Sequence, residues 1–393
     1  MIYYIIFSIL ALFSFTDVWQ DKRYSKLAFI VSFFILFLFG SLRLDTGWDF
    51  ATYRFYFNKV DTISIFLTNG FSPLVYFDLG FKFLISIIKS IGLGFQTLIF
   101  ICNLFVIYCV YSFINRHIEY KNSAILLFYS LCYLFINFSI LRQGIAAGLV
   151  LLAIDSYFNK RNLKVLIYLL TATLFHFSAI IFLPLIFLST IIKIKKGFFI
   201  TILLIITIFA ISHISIFEVF YNIFHSFLPQ GLNQKIEFYI NSTRFGASRT
   251  IGFGFIEKLF FLSIMFHYLF IQKNNNRSLN LIALLLLSYF AIYILFIDIQ
   301  AIYTRLKFYF MVIASCYYPL FIYNILNRKN SRSLGVIICI LFSFINLYNT
   351  LRFEANAVVF MPYQSVLTEL PSYLNLDYYR IDRAQEIIQN NQK

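Results

Sequence analysis

The sequence predicts an all-α, polytopic membrane protein with about twelve transmembrane helices, a hairpin near His176 and long outer-face loops. Three observations carry that prediction. Of 393 residues, 61% are hydrophobic and 12% charged, where soluble domains average about 45–50% and about 25%. The apolar residues fall in runs close to the roughly 20 residues a helix needs to cross a hydrocarbon core. The basic residues gather in the short loops between those runs, as they do on the cytoplasmic side of membrane proteins.

Ten runs meet or approach a span: 2–15, 27–42, 94–114, 123–138, 140–158, 198–212, 252–271, 279–297, 306–326 and 334–351. The first has no basic leader and no small-residue cleavage site, so it reads as a retained span. Two stretches are ambiguous. Residues 81–93 are few and interrupted by Lys82 and Lys89, while 165–192 is too long for one ordinary span, with His176 in its middle. Loop charge decides between the options. If 81–93 does not fully cross and 165–192 turns back near His176, six short loops fall on one side. They are Lys22/Arg23/Lys26, Arg116/Lys121, Lys160/Arg161/Lys164, Lys193/Lys195/Lys196, Lys273/Arg277 and Arg328/Lys329/Arg332. That side is the cytoplasm, both termini are outside, and His176 is at the outer turn of its hairpin.

The long polar segments then all lie outside: 43–80, 213–250, the short turn 298–305 and the tail 352–393. Residues 1–351 read as one transmembrane domain. The tail reads as an amphipathic helix after Pro371, with Tyr373, Leu376, Tyr379 and Ile387 on one side, resting on the membrane surface. No internal or inverted repeat is visible, which disfavours the common transporter architectures. The net charge of +15 does not signal nucleic acid, because the basic residues are scattered as topology signals. The five cysteines (Cys102, Cys109, Cys132, Cys316, Cys339) lie in apolar runs with no C-x-x-C pair and read as buried free thiols.

Ionisable residues at membrane depth are costly and usually mark a site. Here they gather at the outer ends of spans: Arg43, Arg142, His176, Arg244, Arg249 and Arg305. Five arginines and a histidine on one face suit a multiply charged anion, since the planar guanidinium matches phosphate oxygens. Each also has a plainer reading. A span-end arginine can simply snorkel, His176 can be a satisfied turn residue, and Gly144 and Gly148 form a G-x-x-x-G helix-packing pattern. No Asp-x-Asp, His-x-x-x-His, nucleophile elbow or phosphate loop is present. An enzyme of this sequence works with acid–base groups and fixed positive charge, and no metal or cofactor is expected.

The succession Arg43…Gly47-Trp48-Asp49…Tyr53, Asp78-Leu79-Gly80-Phe81, Leu141-Arg142-Gln143-Gly144-Ile145-Ala146, Leu174-Phe175-His176-Phe177-Ser178-Ala179 and Arg305…Tyr309-Phe310 resembles the EpsG family. These are membrane proteins of bacterial polysaccharide clusters, similar to Wzy-type O-antigen polymerases. The first four blocks are the distinctive ones. The family usually shows Gly-Thr-Asp where Gly47-Trp48-Asp49 stands, and more often Glu at position 78. The resemblance implies a glycosyltransferase of the bacterial inner membrane that joins glycan repeat units on its outer face. The product is an O-antigen, lipopolysaccharide-type or exopolysaccharide chain. The implied donor is a glycan on undecaprenyl diphosphate and the acceptor a second lipid-linked unit. A chain-length regulator and a flippase are the accompanying proteins, and nucleic acid is not a partner.

On that reading Arg142, Arg305, Arg43 and Arg249, in that order, with Arg244, hold the lipid diphosphate that leaves. Pre-placed donors for developing charge are commonly the largest catalytic contribution. Gln143, Trp48 and Tyr53 face the sugars. The acceptor hydroxyl needs a base within hydrogen-bond reach; Asp49 is favoured, Asp45 is the alternative on the same loop, and His176 is the second candidate or orients the acceptor. A flippase, a glycan acyltransferase using His176, and an O-antigen ligase are the rival readings. Ligase and polymerase share donor chemistry, and the residues do not separate them.

Overall fold

In a computed structural model the described residues are helical almost throughout, with one two-stranded ribbon among them. The structure describes residues 1–19, 21–70, 77–212, 252–273, 276–296, 299–326, 332–367 and 379–390, with a few positions between 219 and 237. Among these, eight helices are long and apolar enough to cross a bilayer, and four apolar segments of 10–17 residues accompany them. The twelve stand where the apolar runs predict. The chain forms two compact units, residues 1–182 with 315–393, and residues 183–314.

In the first unit, α1 (Ile2–Phe15), α2 (Lys22–Ser41), α6 (Phe95–His117), α7 (Lys121–Phe138) and α8 (Leu141–Phe158) form the bundle, with α15 (Arg332–Arg352) against α1 and α7. Burial sorts them: α7 and α8 are 89% and 83% buried, α15 only 33%. The inner helices can therefore carry polar groups, provided those groups find partners. Asn103 of α6 donates to the Phe37 carbonyl (2.7 Å) and the Ser41 hydroxyl (2.9 Å), and accepts from Asn137 (2.6 Å). Ser32 and Tyr111 share a hydrogen bond at 2.7 Å. These bonds fix α2, α6 and α7 without a hydrophobic driving force between them.

The turn from α7 to α8 is only Ser139 and Ile140, whose N–H groups both donate to the Phe135 carbonyl at 2.8 Å. Gly144 makes so tight a reversal possible, because a Cβ there would stand 2.7 Å from the Ile136 carbonyl oxygen. Gly148, one turn on, lies against Cys109 and Phe105 of α6, so G-x-x-x-G does serve packing. After residues 159–161 the chain returns along α8 as α9 (Asn162–Phe175). Helix α9 stops at His176, whose extended backbone (φ −157°, ψ 113°) breaks the run, where the sequence places the turn. Its last turn touches α5 (Leu79–Ser90): a Cβ on Gly80 would sit 3.0 Å from the Leu174 carbonyl oxygen. Helix α5 spans 12 residues, about 18 Å at 1.5 Å per residue, too short to cross, as expected.

Segment 43–80 differs from the expected loop. It contains β1 (Arg43–Leu44), α3 (Phe50–Lys59) and α4 (Ile63–Asn69). Strand β1 pairs antiparallel with β2 (Gln364–Ser365), Arg43 opposite Ser365. The tail also folds back in part: α17 (Tyr379–Asn390) packs on α16 (Glu354–Phe360), while Tyr373 and Leu376 lie outside the described residues. An amphipathic helix with a protein partner buries its apolar stripe there.

The second unit holds α10 (Phe182–Ile191), α11 (Lys196–Ser212), α12 (Phe253–Phe266, extended to Ile271), α13 (Arg277–Leu295) and the first part of α14 (Gln300–Ile325). Asn280 staples the turn after α10 to α13: it accepts from Ile194 N–H (2.8 Å) and donates to the carbonyls of Ile192 (2.9 Å) and Ser189 (3.2 Å). Most of segment 213–250 is outside the described residues.

Candidate active site

The site forms at the end of the first unit opposite its short basic loops, around the α7–α8 turn. Gly47 has φ +115°, and a Cβ there would lie 2.1 Å from the Phe138 carbonyl oxygen. Only glycine takes this conformation against that backbone. Gly47 thereby presses loop 42–49 onto the turn. Trp48 N–H donates to Ser139 Oγ at 3.1 Å, and its indole N–H donates to Asn356 Oδ1 at 3.0 Å, tying the loop to α16. Asp49 then opens α3 without capping it by its side chain.

Arg43 is 0% exposed. Its Nη1 donates to the Thr46 carbonyl at 2.9 Å, and its guanidinium lies 5.2 Å and 5.1 Å from the Phe50 and Phe138 ring centroids. Its Nε and Nη2 have no hydrogen-bond partner among the described residues. Burial lowers its pKa to about 10, so it stays charged at neutral pH. A buried cation with two idle donors is costly to keep. In this conformation Arg43 meets aromatic rings and backbone rather than solvent.

Arg142 stands one residue into α8, where unpaired N–H groups and the helix dipole already favour an anion. Its Nη1 lies 2.6 Å from Asp78 Oδ2, both side chains being 24% exposed, and it covers the Phe77 ring at 4.7 Å. The Tyr53 hydroxyl bonds to both the side chain and the backbone N–H of Arg142. Burial chiefly, against the pull of Arg142, pushes the Tyr53 phenol up to about 12. Tyr53 is thus a neutral hydrogen-bonding group and not a base. The charge of Asp49 bears on both Arg142 and Tyr53. Asp78 begins α5 but spends no side-chain bond on capping it; its carboxylate goes to Arg142. The pair is short and a quarter exposed on each side, and the Asp78 carboxylate occupies the anion position at Arg142.

The remaining expected residues are distributed as follows. His176 Nδ1 and Ser178 Oγ share a 2.6 Å hydrogen bond, at the same end as Arg142 because α9 ends against Gly80. Gln143 is buried. Asp45 has φ +42° and lies 4.0 Å from Arg380 of the tail helix. Arg305 belongs to the second unit, exposed on α14. Arg244 and Arg249 lie outside the described residues. Asp78 was missing from the expected site residues, although it is the only acidic residue between Asp61 and Glu119. Phe77, Ser139, Asn356 and Arg380 left no sequence signal. Also missed was an acidic residue inside an apolar run of the second unit, Glu257.

Fold and site define a polytopic membrane protein with a cluster of buried and part-buried arginine and carboxylate groups at one end of its inner helices. A family model matches residues 26–365, most of the chain, and the protein belongs to the EpsG family. Membership makes it a membrane protein of the polysaccharide-polymerase type, active in polysaccharide biosynthesis. No curated protein and no solved structure matches the chain.

Proposed function

We propose that the protein polymerises undecaprenyl-diphosphate-linked glycan repeat units into an O-antigen or related surface polysaccharide on the outer face of the bacterial inner membrane. The observation that carries this is Arg142: a guanidinium at a helix N-terminus, backed by Tyr53 and Phe77, whose anion position is held by the Asp78 carboxylate. The basic short loops at the other end of the unit support an outward-facing site.

In the proposed reaction the donor's diphosphate displaces Asp78 from Arg142. An acceptor hydroxyl oxygen attacks the donor's anomeric carbon, and the bond from that carbon to the diphosphate oxygen breaks. The hydroxyl proton passes to Asp49, and the electron pair leaves with the lipid diphosphate, whose charge Arg142 meets. Asp45 and His176 are the alternative bases. Trp48 and Gln143 border the sugars, and Arg43 supplies a second positive charge beneath the loop. Because a guanidinium meets the leaving charge, a chelator leaves the rate unchanged.

The test uses protein in nanodiscs with lipid-linked repeat units isolated from a strain lacking it. Polymerase action gives a ladder of lengthened lipid-linked chains. Movement of repeat units across the bilayer without lengthening indicates a flippase, and transfer of single units to an added lipid or protein acceptor indicates a ligase; either result removes this reading.

A further inference from the structure

The second unit contains a charged cluster that the reaction above does not use. Glu257 lies in the second turn of α12, an otherwise apolar span, with its side chain only 10% exposed. Among the described residues its carboxylate accepts no hydrogen bond; it has one long ion pair, 4.0 Å from Lys258 Nζ. Lys258 is 3% exposed and turned to other partners. Its ammonium donates to the Gly254 carbonyl at 3.2 Å and lies 4.5 Å and 4.6 Å from the ring centroids of Tyr289 and Tyr293 on α13. Lys307 of α14 adds a second positive charge that acts on Glu257. Tyr303, one turn before Lys307, stands edge-on to Tyr293 at 5.5 Å.

One carboxylate and two ammonium groups at membrane depth are expensive. If they served stability alone, the carboxylate's acceptor positions would be filled, as buried charges usually require. Here the cations are held elsewhere, one of them in an aromatic cage, and the carboxylate is left short of donors. A metal or organic cation is disfavoured by the two neighbouring ammonium groups. The missing partner is a neutral group that donates hydrogen bonds in pairs, and vicinal hydroxyls on a sugar ring do so.

We propose that Glu257 is the hydroxyl-binding residue of a glycan subsite in the second unit, with Lys258 and Lys307 placing positive charge beside its carboxylate. That the glycan is the growing or incoming chain rests on the polymerase reading; that the site takes a carbohydrate does not. The binding residues come from α12 and α14, so the subsite is separate in sequence from the Arg142 region and holds sugars rather than the diphosphate.

The test is hydrogen–deuterium exchange on the full-length protein in nanodiscs, with and without the repeat-unit oligosaccharide released from its lipid. Expected is slower exchange in peptides covering 253–266 and 300–312, absent when buffer salts alone are added and lost in Glu257→Ala. The same preparations are assayed for polymer: Glu257→Gln, nearly isosteric, should raise the half-saturating acceptor concentration about 10-fold, the effect of one lost bond to a charged group, with donor retention unchanged. Wild-type exchange unaltered by the oligosaccharide overturns the proposal, as does a Glu257→Gln protein with wild-type acceptor dependence. If a variant fails to insert, the wild-type exchange result decides. Protection of these peptides without any polymer from wild-type protein would keep the subsite and reject the polymerase reading.

Discussion

The two ends of α8 use the same residue types and settle their charges differently. Near its C-terminus, Asp155 receives Arg116 Nη1 at 2.7 Å on one oxygen, and its other oxygen shares a 2.6 Å bond with His117 Nε2. A little further along the same end, Asp17 accepts from the N–H groups of Asn122 (3.2 Å) and Ser123 (2.8 Å), capping α7 from a distant part of the chain. At the N-terminus of α8, Arg142 keeps its Nε without a hydrogen-bond partner and Arg43 keeps two such nitrogens. Burying charge costs the same at either end. Where the acceptors suffice, the cluster serves the fold; where donors are left over, the proposed mechanism puts the anion.

That contrast breaks most sharply at Asp49. Asp49→Asn keeps the shape of the loop and removes the base, so polymer formation by purified protein should fall about 10²–10⁴-fold, with lipid-linked donor still retained. A normal rate for this variant and a dead His176→Ala would exchange their roles. Arg43→Met tests whether an unsatisfied cation is kept for activity. Replacing a buried ion pair by apolar side chains is often neutral or stabilising by about 1–4 kcal/mol, and Arg43→Met leaves no partner charge behind because no carboxylate pairs with Arg43 among the described residues. Its thermal midpoint should therefore hold or rise while the rate drops at least about 10-fold; a lowered midpoint with an intact rate would make Arg43 a structural strut alone.

Tyr53→Phe should cost about 10-fold, one hydrogen bond to a charged group. Because burial holds the Tyr53 phenol near 12, it keeps its proton far above neutral pH, and the loss should be the same factor at pH 6 and pH 9. A deficit that grows toward alkaline pH would mean that Tyr53 ionises in the working range. The smallest effect belongs to Asp78→Asn. Removing the competitor for Arg142 should tighten donor binding by up to about 5-fold, the scale of an ion pair still partly open to water. Weaker donor binding would show that Asp78 orients Arg142 instead of guarding it.

How much of this was legible in the sequence depended on the range of the interaction. The spans, the short α5 and the break at His176 follow from run length and loop charge, which are local. Arg142 was visible as a lone cation at a span end beside small residues. Asp78 was visible only as the start of a block in the family resemblance; its pairing was not, because Arg142 lies 64 positions away and nothing near Asp78 announces it. The sequence reads Phe50–Lys59 as part of a loop because its polar residues hide a buried face of Phe50, Ala51, Tyr53 and Phe57. Glu257 and Lys258 were overlooked for the opposite reason: the strongly apolar run 252–271 masked an adjacent acid and base.

The most direct test of the central claim is a matched pair of substitutions, Arg142→Lys and Arg116→Lys, compared by rate of chain lengthening per inserted molecule. Both keep the charge and lose the planar fork. Arg142→Lys should lower the rate about 10²-fold or more, the range for losing an aimed donor at a developing anion, while Arg116→Lys, paired to Asp155 at the saturated end, stays within about 2-fold of wild type. Equal rates for Arg142→Lys and the wild type would contradict the account.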